Sequence, residues 1–324
     1  MTAGFHLRLG IVWAAIMAAS VVTMLVTGVH IQGAGSITIT LVLGALCFSP
    51  VPLYLRTAKR TYLLDCVLCL GWIVFLSYAS FFPIAAACRL GRSFPLQDAF
   101  FARLDFVDLP AIHAWAEVNP IGRWINWSYN QILYLEVGAA VLPLMFGKVA
   151  RVKKLLAAYT LALLISLPVV VFLPAIGPWY GYQNIAGDAG QRAITAEILN
   201  FRGAGADFIP TGVICCPSFH VIWTILFAWT LWEFRWLRPL VGTLAASIVI
   251  STITKGCHYT VDGLAGLLVS AVVIWAAERL PVVSQRSSRA WAHCWPQICF
   301  MFLRPRNFVR AMLPTDSTHT ASNQ

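Results

Sequence analysis

The sequence predicts an all-α, polytopic integral-membrane protein, a bundle of about eight membrane-spanning helices. Three observations carry that prediction. Hydrophobic residues make up 59% of the 324 and charged residues only 11%, whereas an ordinary globular chain is roughly a quarter charged. The mean hydropathy is +0.74, and the apolar residues are gathered into runs near the 20 or so needed to cross a bilayer core. The basic residues, finally, alternate between dense and sparse connecting segments, as they do when a chain threads back and forth through a membrane. Helices suit such a chain because they satisfy every backbone polar group within the segment.

Taken in order, the expected spans are approximately 9–29, 37–55, 62–87, 128–146, 155–174, 220–236, 239–254 and 260–280. The first is too long for the core of a signal peptide, and no small-residue cleavage site follows it, so it reads as a retained helix. The second ends at the Arg56, Lys59 and Arg60 cluster, and the fourth ends before Lys148, Arg151, Lys153 and Lys154. The sixth and seventh are the shortest, separated by Arg235 and Arg238.

With the N-terminus inside, sixteen of the 23 Lys and Arg residues fall on the cytoplasmic side. The seven outside are Arg89, Arg92, Arg103, Arg123, Arg192, Arg202 and Lys255. This bias obeys the positive-inside rule and places both termini in the cytoplasm. The net charge of +10 thus reports topology and attraction to anionic lipid, and nucleic acid is excluded as a partner.

Two long segments face outward. Within 88–127, Phe94, Phe100, Phe101, Leu104 and Val107 are interleaved with Asp98, Arg103 and Asp105, the pattern of an amphipathic piece lying on the membrane surface. Residues 181–216 are rich in Gly and short polar residues and read as an irregular loop. On the other side, 285–313 mixes Trp291, Trp295, Phe300 and Phe302 with Arg residues, which suits an interfacial segment. The polar stretch from Pro314 reads as disordered. Of the nine cysteines, Cys47, Cys66 and Cys69 lie in spans as small apolar residues. Cys257 can bridge to Cys215 or Cys216 if the outer face is oxidising.

Three short segments concentrate polar chemistry on that outer side: Pro174 to Tyr180, Cys216 to His220, and Gly256 to Gly263. His258 and Asp262 are four apart, so on a helix they share a face. The carboxylate can then accept a hydrogen bond from one ring nitrogen, fix the tautomer and leave the other nitrogen free to attack. His220 follows a Pro-Ser turn that starts a helix with Ser218 as cap, and its imidazole can exchange a proton near neutral pH.

Pro217-Ser218-Phe219-His220 and His258-Tyr259-Thr260-Val261-Asp262 resemble the second and third signature motifs of the type-2 phosphatidic-acid phosphatase superfamily, Pro-Ser-Gly-His and Ser-Arg-x5-His-x3-Asp. The His-Tyr-x-x-Asp form and the Pro-Ser-x-His variant are more similar to the branch containing inositol phosphorylceramide synthase and sphingomyelin synthase. Pro174 to Tyr180 resembles the Pro-rich aromatic motif of that branch. The resemblance spans roughly 90–280 and implies a six-helix lipid-phosphatase-like core. It implies that His258 is the nucleophile that becomes a phosphohistidine, that Asp262 orients it, and that His220 is acid for the departing group and base for water or an acceptor alcohol. It implies no cofactor and no metal, provided cations hold the phosphate oxygens.

On that point the sequence departs from the family. The Lys-x6-Arg-Pro signature has no counterpart, and where Ser-Arg is expected the chain has Ser251-Thr252. Arg202, whose planar fork suits phosphate, and Lys255 are the outer-face candidates to substitute. Ser218 and the helix start behind it offer further anion contacts. Trp179 and Tyr180 are candidates for the lipid entrance or for an interfacial aromatic belt. The expected partners are membrane lipids, a phosphorylated lipid substrate and, for a transferase, an alcohol or ceramide acceptor. Hydrolase and transferase differ only in what reaches the phosphohistidine. A non-catalytic lipid transporter, with Asp65 and Glu136 on its path, is the alternative. The expected division is 1–87 for N-terminal helices, 88–281 for the catalytic region and 282–324 for a basic tail. The topology suits a bacterial cytoplasmic membrane with a periplasmic site, or equally a secretory-pathway membrane with a lumenal one.

Overall fold

The structure, a computed structural model, describes residues 3–29, 62–203 and 215–281, with Val42 besides. The expected span at 37–55, the interfacial segment at 285–313 and the tail from Pro314 lie outside the described residues, as does the 204–214 part of the outer loop. The chain is all-helical, 80% helix, with no strand among the described residues.

Helix α1 is Ala3–Val26, α2 Tyr62–Ala79 and α3 Phe81–Leu90. Three short helices follow: α4 Asp98–Leu104, α5 Leu109–Val118 and α6 Pro120–Ser128. Then come α7 Ile132–Met145, α8 Val149–Phe172, the single turn α9 Pro178–Gly181, and α10 Ala189–Arg202. The chain closes with α11 Phe219–Leu231, α12 Arg238–Thr254 and α13 Thr260–Glu278. Among the described residues, four stretches are long and apolar enough to cross a membrane: Gly4–Val26, Tyr62–Ser93, Val149–Phe172 and Thr260–Glu278. The structure therefore shows four of the eight expected spans at full length. Helices α7, α11 and α12 are apolar but have only 14, 13 and 17 residues. At about 1.5 Å per residue a 13-residue helix reaches only about 20 Å, short of a bilayer core.

Helices α7, α8, α11, α12 and α13 pack together, with α1, α2 and α3 against the α8 side. Their inward residues, including Leu135, Leu156, Leu163, Ile222, Leu226, Ile248 and Val273, form one buried cluster, while Val26, Leu268 and Trp275 face outward. Apolar residues on the outside are what a bundle solvated by lipid requires. Gly266 sets the closeness of α13 to α11: a Cβ there would come within 2.9 Å of the Ser218 carbonyl and 3.0 Å of Val221. Lys148 pairs with Glu233 at 2.6 Å, and Arg151 and Lys154 both grip Glu278, tying the ends of α8 and α13 to the turn after α11.

One expectation changes. The supposed irregular loop at 181–216 contains a 14-residue helix, α10, because Asp188 accepts the Gln191 N–H and donates its own to Gln191 Oε1. That capping box outweighs the flanking glycines. Asp65 and Glu136 are engaged side chains: Asp65 lies buried between His6 at 3.0 Å and Lys153 at 2.6 Å, and Glu136 takes the Ser77 hydroxyl at 2.7 Å.

Candidate active site

The C-terminus of α12 aims the third outer segment. Gly256 adopts φ +68, a left-handed conformation suited to Gly, and reverses the chain so that Cys257 N–H and His258 N–H both bond the Thr252 carbonyl, at 3.1 and 3.0 Å. Helix α13 starts just beyond. Asp262, in its first turn, accepts the Tyr259 N–H at 2.9 Å, and Asp105 accepts both the N–H and the hydroxyl of Thr260, at 2.7 and 2.6 Å. The Ser218 N–H bonds the Asp262 carbonyl at 3.1 Å, which joins the second outer segment directly to the third.

His258 is buried, and its Nδ1 lies 2.9 Å from the carbonyl oxygen of Cys215. A carbonyl only accepts, so Nδ1 carries the proton and Nε2 presents its lone pair. The expected hydrogen bond from the ring to Asp262 is absent: Nδ1 and Oδ2 are 3.8 Å apart, too far for one. The carboxylate instead sits beside the ring at ion-pair distance, fully buried, and takes the Cys215 thiol proton at 2.9 Å. Its Oδ1 has no hydrogen-bond partner among the described residues.

His220 lies in the first turn of α11, its ring centroid 5.9 Å from that of His258. Its Nδ1 is 3.2 Å from the hydroxyl of Tyr129, whose ring stacks on the imidazole at 4.2 Å. Both histidines line a cavity of about 120 Å³ together with Tyr129, Trp179, Gln191, Cys257 and a largely apolar remainder that includes Phe81, Ile84, Phe219 and Trp223.

The other expected site residues divide. Trp179 lines the cavity, with its indole N–H donated to Thr195 Oγ1 at 2.8 Å. Tyr180 is exposed and is not among the lining residues. Ser218 is fully buried, and its hydroxyl accepts the Val221 N–H at 3.3 Å as the cap of α11, so it is turned into the helix end rather than the cavity. Arg202 donates to the carbonyls of Gly91 and Arg92 at 3.2 Å each and to that of Phe94, and it lines a smaller neighbouring cavity. Lys255 holds its ammonium 4.8 Å over the Tyr129 ring. Thr252, where the family has Arg, is buried and bonds the Val249 carbonyl at 2.7 Å.

Cys215, Cys216 and Cys257 are free thiols, and burial pushes all three up from the ordinary thiol range. Cys215, His258 and Asp262 each offer a ligand atom within 4.8 Å of the others, but the carbonyl of Cys215 holds the proton on His258 Nδ1, and the thiol proton bridges to Asp262. Two carboxylates that read in the sequence as part of a surface pattern, Asp98 and Asp105, prove structural, Asp105 through its two bonds to Thr260. Asp98, buried, accepts the Ile176 and Gly177 N–H groups and the Tyr259 hydroxyl, and burial raises its carboxyl above the usual range. It thereby pins the Pro174 to Tyr180 segment to the start of α13. Tyr129 and Gln191 are polar cavity residues that no sequence motif marked.

The PAP2 superfamily model matches residues 100–276, a stretch that holds Tyr129, Gln191, His220, His258 and Asp262. The chain belongs to the PAP2 superfamily. No curated protein and no solved structure matches it. Membership carries an expectation of phosphatase or phosphotransferase activity, and the helical architecture with four long apolar stretches fits an integral membrane protein. For this PAP2 member the phosphate-binding cations of the usual signatures are missing, and the cation nearest the paired histidines along the chain, Lys255, lies over the ring of Tyr129, which itself stacks on His220.

Proposed function

We propose that the chain is a membrane-embedded lipid-phosphate phosphatase or phospholipid head-group phosphotransferase that works through a phosphohistidine on His258. The observation that carries this is the bond from His258 Nδ1 to the Cys215 carbonyl, since it leaves Nε2 as a lone pair facing a second histidine. In the first step that lone pair attacks phosphorus. The bond from phosphorus to the leaving oxygen breaks with its electron pair on oxygen, and the oxygen takes a proton from Nε2 of His220. The phosphorylated imidazole is a cation, which the Asp262 carboxylate at 3.8 Å stabilises. In the second step water or an acceptor alcohol gives its proton to His220 Nε2, attacks phosphorus and breaks the P–N bond. Both proton transfers run through His220 and the nucleophile is His258, so the cycle calls for no metal.

The lining favours a lipid, with apolar and aromatic side chains around a few polar groups. Its charge favours a singly charged phosphodiester. Arg202 is held by three carbonyls, so Lys255 is the cation we assign to the phosphate, and one cation balances a monoanion better than a dianion. Together with the His-Tyr-x-x-Asp form, this supports head-group transfer of the inositol phosphorylceramide synthase and sphingomyelin synthase kind, with an alcohol or ceramide as acceptor. We assign 1–87 to N-terminal helices, 88–281 to the catalytic region and 282–324 to a basic cytoplasmic tail. The site faces away from the cytoplasm, the periplasm in a bacterial membrane.

The test uses the full chain in detergent, given phosphatidic acid, prenyl diphosphate or an inositol phospholipid, with and without ceramide. Wild type releases phosphate or forms a new head-group lipid, and His258→Ala does neither. Equal product from both overturns the reading, and product only with an acceptor selects transferase over hydrolase.

A further inference from the structure

We infer that Tyr129 is a positioning residue for His220, one that makes Nε2 the atom through which the proton passes. The inference rests on the reading of His258 and His220 as nucleophile and acid–base pair. Tyr129 opens the single turn Tyr129–Gln131 between α6 and α7, 91 residues from His220, and touches the imidazole in two ways at once. Its hydroxyl is 3.2 Å from Nδ1, and its ring lies 4.2 Å from the imidazole, inclined by 23°.

The direction of the hydrogen bond follows from the acid role of His220. An imidazolium carries a proton on each nitrogen and has no lone pair to offer, so Nδ1–H donates and the Tyr129 oxygen accepts. The two histidines then share one arrangement. Each has its Nδ1–H held by an acceptor, the Cys215 carbonyl for His258 and the Tyr129 hydroxyl for His220, and each keeps Nε2 for the cavity that both line.

Through the cycle Nδ1 of His220 never loses its proton. As an imidazolium, the ring gives the Nε2 proton to the leaving oxygen and becomes neutral. As a neutral ring, it takes a proton at Nε2 from water or the acceptor alcohol and returns to the cation. Burial, His258 and Lys255 all press His220 toward its neutral form; the stacked phenol face offsets part of that by its quadrupole, and the hydroxyl, by accepting Nδ1–H, favours the tautomer that keeps Nε2 free when a base is needed. The roles mirror the orienting acceptor of a catalytic triad, supplied here by a neutral side chain.

Tyr129→Phe keeps the stack and removes only the acceptor. The experiment compares wild type, Tyr129→Phe and His258→Ala, full chain in detergent, on two substrates with the same acyl chain. One is a lipid phosphate with an alkyl alcohol as leaving group, which needs a proton. The other is a nitrophenyl phosphoester, whose leaving group departs without one, followed by its pre-steady-state burst so that only the first step is read. We expect Tyr129→Phe to lower kcat on the alkyl substrate about tenfold, with KM within about twofold and the nitrophenol burst rate within about twofold of wild type. A burst rate that falls as far as the alkyl turnover marks a merely structural role and overturns the inference. Unchanged turnover on both substrates overturns it too. Wild-type turnover by His258→Ala, in contrast, removes the underlying catalytic reading and not the Tyr129 contact itself.

Discussion

Asp262→Asn isolates the charge of a buried carboxylate while keeping its shape. Asp262 is fully buried and makes no hydrogen bond to the His258 ring, so its effect on the reaction is through space. The ring is neutral before attack and cationic once phosphorylated, with its nearer nitrogen 3.8 Å from Oδ2. Two unit charges at that separation interact by about 4 kcal/mol at an effective dielectric of about 20. The ring charge is shared by two nitrogens, which brings the useful part to about 3 kcal/mol, or on the order of 10²-fold in rate. The asparagine oxygen can keep both the Tyr259 N–H and the Cys215 thiol, since both bond the one oxygen Oδ2, while the NH₂ group takes the place of the unpaired Oδ1 and lacks an acceptor, at a stability loss of about 1–3 kcal/mol. The assay is single-turnover product formation at saturating enzyme, with circular dichroism and a thermal midpoint to show that the variant is folded. A rate constant within a few-fold of wild type refutes the reasoning, for it leaves the Cys215 carbonyl as the sole orienting group and the carboxylate as a mere helix cap.

The remaining predictions follow from the same geometry. On the assignment of Lys255 to the phosphate, Lys255→Gln raises KM by about tenfold, as loss of one charge-assisted contact implies, whereas Arg202→Gln leaves KM nearly unchanged and lowers the thermal midpoint, because the guanidinium is held by three backbone carbonyls. Michaelis curves and unfolding scans on both variants separate the two. Asp98→Ala leaves the buried N–H groups of Ile176 and Gly177 unpaired, while the Tyr259 hydroxyl keeps the Gly177 carbonyl at 3.0 Å. At about 1–3 kcal/mol for each orphan, the loss in unfolding free energy is about 2 kcal/mol or more, and urea titration in detergent measures it. Cys257 lines the cavity and its thiol is pushed up by burial, so its thiolate fraction is small at neutral pH and grows as pH rises toward the raised value. Maleimide inactivation is therefore slow at pH 7, faster by about tenfold for each pH unit above it, and absent from Cys257→Ser.

The fold was legible where the physics was local. Runs of about 20 apolar residues marked α1, α2 with α3, α8 and α13, since lipid as solvent selects on length and composition alone. The lengths of α7, α11 and α12 were not legible, because an apolar run does not say where tertiary contacts stop a helix. The 220–236 run extends past Leu231, yet α11 ends there and the chain turns through Trp232 to Phe234. Helix α10 was missed although its signal was present. Asp188 and Gln191 stand at capping-box spacing, but Gly187, Gly190 and Gly203 around them gave the segment the composition of a loop.

The site was legible in its members and misread in its wiring. The spacing of His258 and Asp262 implied a shared helical face, which holds only when both residues are helical. His258 precedes the helix, and Tyr259 between them is extended, with ψ 154, so the imidazole swings away from the carboxylate. Its proton then goes to a carbonyl 43 residues earlier in the chain. No rule of spacing finds that carbonyl, because a backbone acceptor carries no residue identity. The same holds for Tyr129, an aromatic at the head of an apolar run with nothing local to distinguish it from a belt residue. What the sequence does hold is the reason both acceptors are available. Gly256 permits the reversal that turns His258 back toward Cys215, and Gly266 lets α13 approach α11 closely enough for the Asp262 carbonyl to take the Ser218 N–H. A side chain at either glycine separates the two histidines without touching them, so the distance between catalytic groups in this chain is set by residues that carry no chemistry of their own.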